Sequence, residues 1–160
     1  MTASGPSNPP VAPLGNPRPG ANPGWLSARQ WRVLDAVCRT FQPGQSAADG
    51  RLLARVAGLI ASLPNAEDRL RLRMLLEALG HASVNLVLAG RAAPFDRLSH
   101  ENRVAVLRTW SESRLQARRA GFQALKRLVN VAWYAWPVTE GWHPTWVATG
   151  YPGPLPPPAG

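Results

Sequence analysis

Proline placement constrains this chain more than any other feature. Fourteen of its 17 prolines fall in two terminal stretches, residues 1–24 and 137–158, and only Pro43, Pro64 and Pro94 interrupt the rest. Proline lacks an amide donor and clashes inside a helix, so regular structure is confined to the interval between the two stretches. That interval, about 110 residues from Trp25 to Trp136, suffices for one small domain and is too short for two. Residues 1–24 combine seven prolines with four glycines and read as a disordered tail. The expected organisation is a tail over 1–24, a folded unit over 25–136 and an extended Trp/Pro-rich segment over 137–160.

Between the prolines the apolar residues recur every three or four positions. Ser27 caps a first helix and Gln30 completes a capping box. Leu26 and Trp31 have the spacing of a hydrophobic staple. Trp31, Leu34, Val37 or Cys38, and Phe41 share one face, and Pro43-Gly44 stops the helix. A second helix runs from near Asp49 to before Pro64. A third starts at Asn65, with Glu67 and Asp68 in its first turn, and continues through Leu88 to Gly90. At about 23 residues it would be roughly 35 Å long, and its broad apolar stripe predicts a central position. A turn at Phe95-Asp96-Arg97 leads to a fourth helix capped by Ser99, with Val104, Leu107 and Trp110 facing inward. In the fifth stretch Leu115, Phe122, Val129 and Trp136 are seven apart, with Leu125 and Ala132 between them. No sustained alternation suggests a sheet. The predicted fold is all-α, a bundle of about five helices with two irregular tails.

Catalytic constellations are hard to find. There is no G-x-G-x-x-G, P-loop or G-x-S-x-G. The segment Gly150–Pro154 lacks the adjacent amide donors of a phosphate cradle because of its prolines. His81, His100 and His143 are far apart, and Glu77 with His81 is half of an incorrectly spaced di-iron motif, so a surface pair is the simpler reading. Cys38, the single cysteine, lies on a buried stripe and reads as a core residue. Lys126, beside Arg127, reads as a solvated basic edge rather than a Schiff-base nucleophile. No apolar run approaches the ~20 residues a membrane span needs. Residues 1–24 show neither an apolar h-region nor a twin arginine, so a cytoplasmic protein is expected.

Charge and aromatics carry more information. The formal net charge is +9, and eight basic residues between Arg97 and Arg127 face two acids. Two readings follow: phosphate neutralisation on a nucleic acid, or a protein interface anchored by Arg and Trp. Trp133, Tyr134, Trp136, Trp142, Trp146 and Tyr151 lie within 19 residues. Such a segment must cover apolar surface, either on its own bundle or on a partner.

The stretches Pro94–Ser99, Arg103–Leu115 and Phe122–Leu128 resemble the region ahead of the flavin domain in long-chain fatty alcohol oxidases of the glucose–methanol–choline (GMC) oxidoreductase family. His143-Pro144-Thr145-Trp146 and Gly150–Pro154 are similar to the end of that region. Leu26-Ser27-x-x-Gln30 with Phe41-x-Pro43 resembles the start of the gluconate 2-dehydrogenase subunit 3 group, small partners of GMC dehydrogenases. The resemblance implies a separate, non-catalytic small subunit that binds and stabilises an FAD-dependent GMC alcohol oxidase or dehydrogenase. The FAD would sit in the partner, and this chain would hold no cofactor or metal. The expected partner interface comprises Trp110, Arg114, Arg118, Phe122, Lys126, Trp146, Tyr151 and Pro152. The alternative is a basic helical nucleic-acid-binding protein.

Overall fold

The computed structural model describes residues 22–42 and 50–134; all statements of structure below concern these residues. They form six α-helices and one 3₁₀ turn, and no strand. The helices are α1 (Ala28–Phe41), α2 (Arg51–Ala61), α3 (Ala66–Leu79), α4 (Ala82–Ala89), α5 (His100–Ser111) and α6 (Gln116–Tyr134), with the 3₁₀ turn at Phe95–Arg97. The all-α expectation holds. The N-terminal stretch through residue 21 and the segment from residue 135 lie outside the described residues, and with them most of both expected tails. The described residues begin at Asn22, inside the stretch read as a tail. Its amide donates to Leu26 O at 3.0 Å and its Oδ1 accepts from Gly24 N at 3.1 Å.

Helix starts follow local chemistry. Ser27 Oγ accepts from Gln30 N (3.1 Å) and Gln30 Oε1 accepts from Ser27 N (3.0 Å), so the capping box forms as expected. The same Gln30 side chain donates to Arg73 O at 3.3 Å, tying α1 to α3. Asn65 caps α3 by accepting from Glu67 N, and Ser99 caps α5 by accepting from Asn102 N. Gly50 precedes α2 with φ of 74°, a left-handed conformation that suits glycine.

The central helix is α1, not the third helix of the sequence reading. α1 packs on α2, α3, α5, α6 and the 3₁₀ turn. It buries Val33, Leu34, Ala36, Val37 and Cys38. Around it stand Leu52, Val56 and Ile60 of α2, Leu72, Leu76 and Leu79 of α3, Phe95, Val106 and Leu107, and Leu125 and Val129 of α6. The expected 23-residue helix is instead two helices that meet at Gly80-His81. Gly80 N donates to Leu76 O and Glu77 O, His81 N donates to Ala78 O, and His81 is extended. Two side chains, Arg29 from α1 and Asn85 from α4 itself, fix this break. The aliphatic stem of Arg29 lies against Gly80, where a Cβ would come within 2.7 Å of Arg29 Cδ. Asn85, fully buried, donates from Nδ2 to Leu79 O at 2.9 Å and to Ala93 O at 3.0 Å. It thereby satisfies the carbonyl that the break frees. Gly90, with φ of 66°, ends α4 as the sequence suggested.

The inner face of α5 is also corrected. Val106, Leu107 and Trp110 are buried, whereas Val104 is 44% exposed. Arg103 turns inward, donating to Phe95 O (3.2 Å) and Asp96 O (3.0 Å), and Asp96 pairs with Arg32 of α1 at 3.2 Å. The 3₁₀ turn is thus clamped from both sides, and Phe95 is fully buried beneath it.

Candidate partner-binding surface

The residues named from sequence as an interface separate into three groups. Trp146, Tyr151 and Pro152 lie outside the described residues. Trp110 is a correction: it is 3% exposed in the main core, and its indole nitrogen has no hydrogen-bond partner in the structure. Its ring fills the bundle and offers no surface to another chain. The third group is Arg114, Arg118, Phe122 and Lys126.

Arg118, Phe122 and Lys126 are four apart on α6 and form one stripe, with Arg114 just ahead of the helix. The stripe follows the border between the buried face, marked by Leu125, Val129 and Ala132, and solvent. Arg118 and Phe122 are half-buried, and Arg114 and Lys126 are exposed. Phe122 packs on Phe41 at the end of α1, with ring centroids 5.8 Å apart and planes at 53°. Phe122 therefore has an internal partner already, and the charged ends of the stripe are what α6 presents outward. Leu115, expected at the start of the seam, lies ahead of the helix and is 55% exposed.

The basic cluster is less of a single field than its composition suggested. Arg103 is spent on the 3₁₀ turn. Arg108 pairs with Glu112 at 2.8 Å, which raises its pKa. Arg119 donates to Ser113 O. Arg55 of α2, half-buried, donates to Ala132 O at 3.4 Å, and desolvation lowers its pKa. Much of the positive charge thus closes helix ends and joins elements.

Several surface features escaped the sequence reading. Leu70 and Met74 on α3, Leu86 and Val87 on α4, and Val131 on α6 are all more than half exposed, as is Tyr134, which the aromatic run had already marked. A surface cleft of about 270 Å³ is lined by Trp25, Ala61, Ala66, Arg69, Leu70 and Arg73. Arg69 is occupied there by a hydrogen bond to Leu63 O. The pair Glu77–His81 acquires a third member. Arg29 Nη1 lies 3.0 Å from Glu77 Oε1 and 2.9 Å from His81 Nε2, on the surface. Among the described residues no three His, Cys, Asp or Glu side chains converge to hold a metal. Cys38 is buried, and burial pushes its thiol pKa well up, so it is a core residue as expected. No described helix is long and apolar enough to cross a membrane.

Charged side chains thus stand at the edge of α6, and apolar side chains are exposed on α3, α4 and α6. Neither a curated protein nor a solved structure matches the chain. The family profile of gluconate 2-dehydrogenase subunit 3 matches residues 28–153. The match begins with α1, spans every described helix and continues into the aromatic C-terminal segment. On that match, the chain belongs to the gluconate 2-dehydrogenase subunit 3 family.

Proposed function

We propose that this protein is a non-catalytic helical subunit that binds and stabilises the catalytic subunit of a dehydrogenase, an FAD-dependent GMC-type flavoprotein acting on an alcohol. The observation that carries the reading is the family match across the bundle. One structural fact supports it. Apolar side chains stand uncovered on α3, α4 and α6, where burial against a partner returns about 25 cal/mol per Å². In this reading the FAD belongs to the partner. Arg114, Arg118 and Lys126 would pair with its carboxylates, while Trp146, Tyr151 and Pro152 would cover its apolar surface.

The test is co-expression with a GMC-type flavin dehydrogenase subunit, followed by purification through a tag on this chain. A yellow complex that retains the dehydrogenase is expected, with Trp146→Ala weakening it and leaving helical circular dichroism intact. Separate elution of the two chains, or alcohol oxidation by this chain alone, would overturn the proposal. Loss of helicity in Trp146→Ala would instead assign that ring to the bundle's own cover.

A further inference from the structure

The charges of this chain are sorted by helix. α2 holds two arginines, and α6 with Arg114 just ahead of it holds five basic residues; neither holds an acid. The other 11 basic residues share the chain with all nine acids, so seven of the nine units of net charge lie on this pair of helices. The two pack directly on each other and form one acid-free sector. Elsewhere acids meet arginines: Asp35 with Arg39, Glu77 with Arg29, Asp96 with Arg32, Glu112 with Arg108, and both Glu67 and Asp68 with Arg71. Arg114, Arg118, Lys126 and Arg127 make no ion pair among the described residues. Hydrogen bonds to carbonyl oxygens, from Arg55 to Ala132 O and from Arg119 to Ser113 O, leave the charge uncancelled. Like charge crowded in this way costs stability through self-repulsion and projects a positive field from one side of the bundle. An anionic surface laid on that side relieves the repulsion and is drawn in by the field.

Charge also decides the occupant. The chain's own segments outside the described residues bring two acids, Asp49 and Glu140. A second copy brings the same excess of +9, and of its described acids only Glu101 has no arginine beside it. A nucleic acid would match the charge, but Leu115, Val131 and Tyr134, each more than half exposed near the ends of α6, find no counterpart on a phosphate backbone. Arginine and tyrosine among apolar side chains suit a protein interface. We propose that the outer side of α6, centred on Lys126 and Arg127, captures the dehydrogenase subunit through an acidic face, with carboxylates opposite these cations and apolar side chains opposite Val131 and Tyr134. This rests on the subunit reading above and adds which side of the bundle meets the partner and that long-range charge drives the meeting.

The experiment compares co-expressed complexes, held by a tag on this chain and washed at rising salt. Lys126→Glu/Arg127→Glu is set against Arg91→Glu/Arg97→Glu, an equal change in net charge outside the sector. All four sites are exposed, so helical circular dichroism should not change. At about 0.01 M salt, where charges act over roughly 30 Å, Lys126→Glu/Arg127→Glu should retain at least tenfold less dehydrogenase than wild type. The gap should close near 1 M, where that reach is roughly 3 Å. Arg91→Glu/Arg97→Glu should stay within about twofold of wild type, and Lys126→Gln/Arg127→Gln, which adds no repulsion, should fall between the two doubles. Equal losses from the two Glu doubles would make net charge, and not this sector, the cause and overturn the inference. A complex indifferent to both salt and Lys126→Glu/Arg127→Glu overturns it and spares the subunit reading; a wild-type chain that binds no dehydrogenase sinks both. A random-sequence DNA duplex that displaces the dehydrogenase from wild type, and binds the Lys126→Glu/Arg127→Glu chain at least tenfold more weakly, assigns the sector to phosphate and refutes it.

Discussion

Asn85 offers the sharpest test of how this fold is held. Its Nδ2 bridges two carbonyls, Leu79 O at 2.9 Å and Ala93 O at 3.0 Å, and so joins the end of α3 to the segment before the 3₁₀ turn. Asn85→Leu keeps the volume and removes the donor. A buried acceptor left without a partner costs about 1–3 kcal/mol. Two are affected, but the Ala93 contact is only partly buried, and the substitution also removes the unpartnered Asn85 Oδ1. The net expectation is a loss of about 2 kcal/mol, with Tm lower by roughly 8–12 °C for a domain of this size. Asn85→Asp is more severe at neutral pH, about 3–5 kcal/mol, because the new carboxylate faces two carbonyl oxygens without a donor. Its sign with pH follows from linkage. Burial raises the folded-state pKa of that carboxyl above its unfolded value of about 3.9, so the folded state binds more protons and stability falls as pH rises between the two values. The deficit should therefore shrink on acidification and, below about pH 4, fall to the cost of the one carbonyl that the single O–H of the neutral acid leaves unpaired. The assay is urea unfolding followed by circular dichroism across pH. A leucine variant within about 0.5 kcal/mol of wild type, together with an aspartate variant whose deficit ignores pH, would refute the claim that this amide holds the break between α3 and α4.

Three further outcomes follow from the geometry. Gly90→Ala should cost about 1 kcal/mol through backbone strain alone, since φ is 66° and nothing lies within 4 Å of an added Cβ; an unchanged unfolding midpoint would contradict this. Cys38 should resist thiol reagents in the folded protein and react on addition of denaturant, because burial holds the thiol protonated; rapid native labelling would place it at the surface. Ser27→Ala should lower stability by about 1 kcal/mol through loss of the α1 cap, read by thermal melting, and no shift would mean that the cap carries no weight.

Features governed by neighbours in the chain were legible from the sequence. Ser27 with Gln30, Asn65 and Ser99 mark three helix starts, because a cap is a contact across two or three residues. Phe95-Asp96-Arg97 was readable as a turn, and Gly90 as a stop, for the same reason. Cys38 was readable as core from its place on the apolar stripe of α1. The candidate surface was readable only in part. The four-residue spacing of Arg118, Phe122 and Lys126 places them on one stripe, but spacing does not say which face of α6 meets the bundle. Trp110 looked like an anchor for a partner because large aromatics serve both interfaces and cores.

By itself the sequence determined an all-helical unit between two proline-rich stretches, since helical periodicity, caps and breakers act over a few residues. Tertiary structure alone decided that α1 is the centre, that the long third segment breaks at Gly80, and that α4 turns Asn85 inward and Val87 to water. Each of these depends on groups far apart in the chain. Arg29 reaches Gly80 across 51 positions, and whether an apolar side chain is covered depends on which other helix stands in front of it.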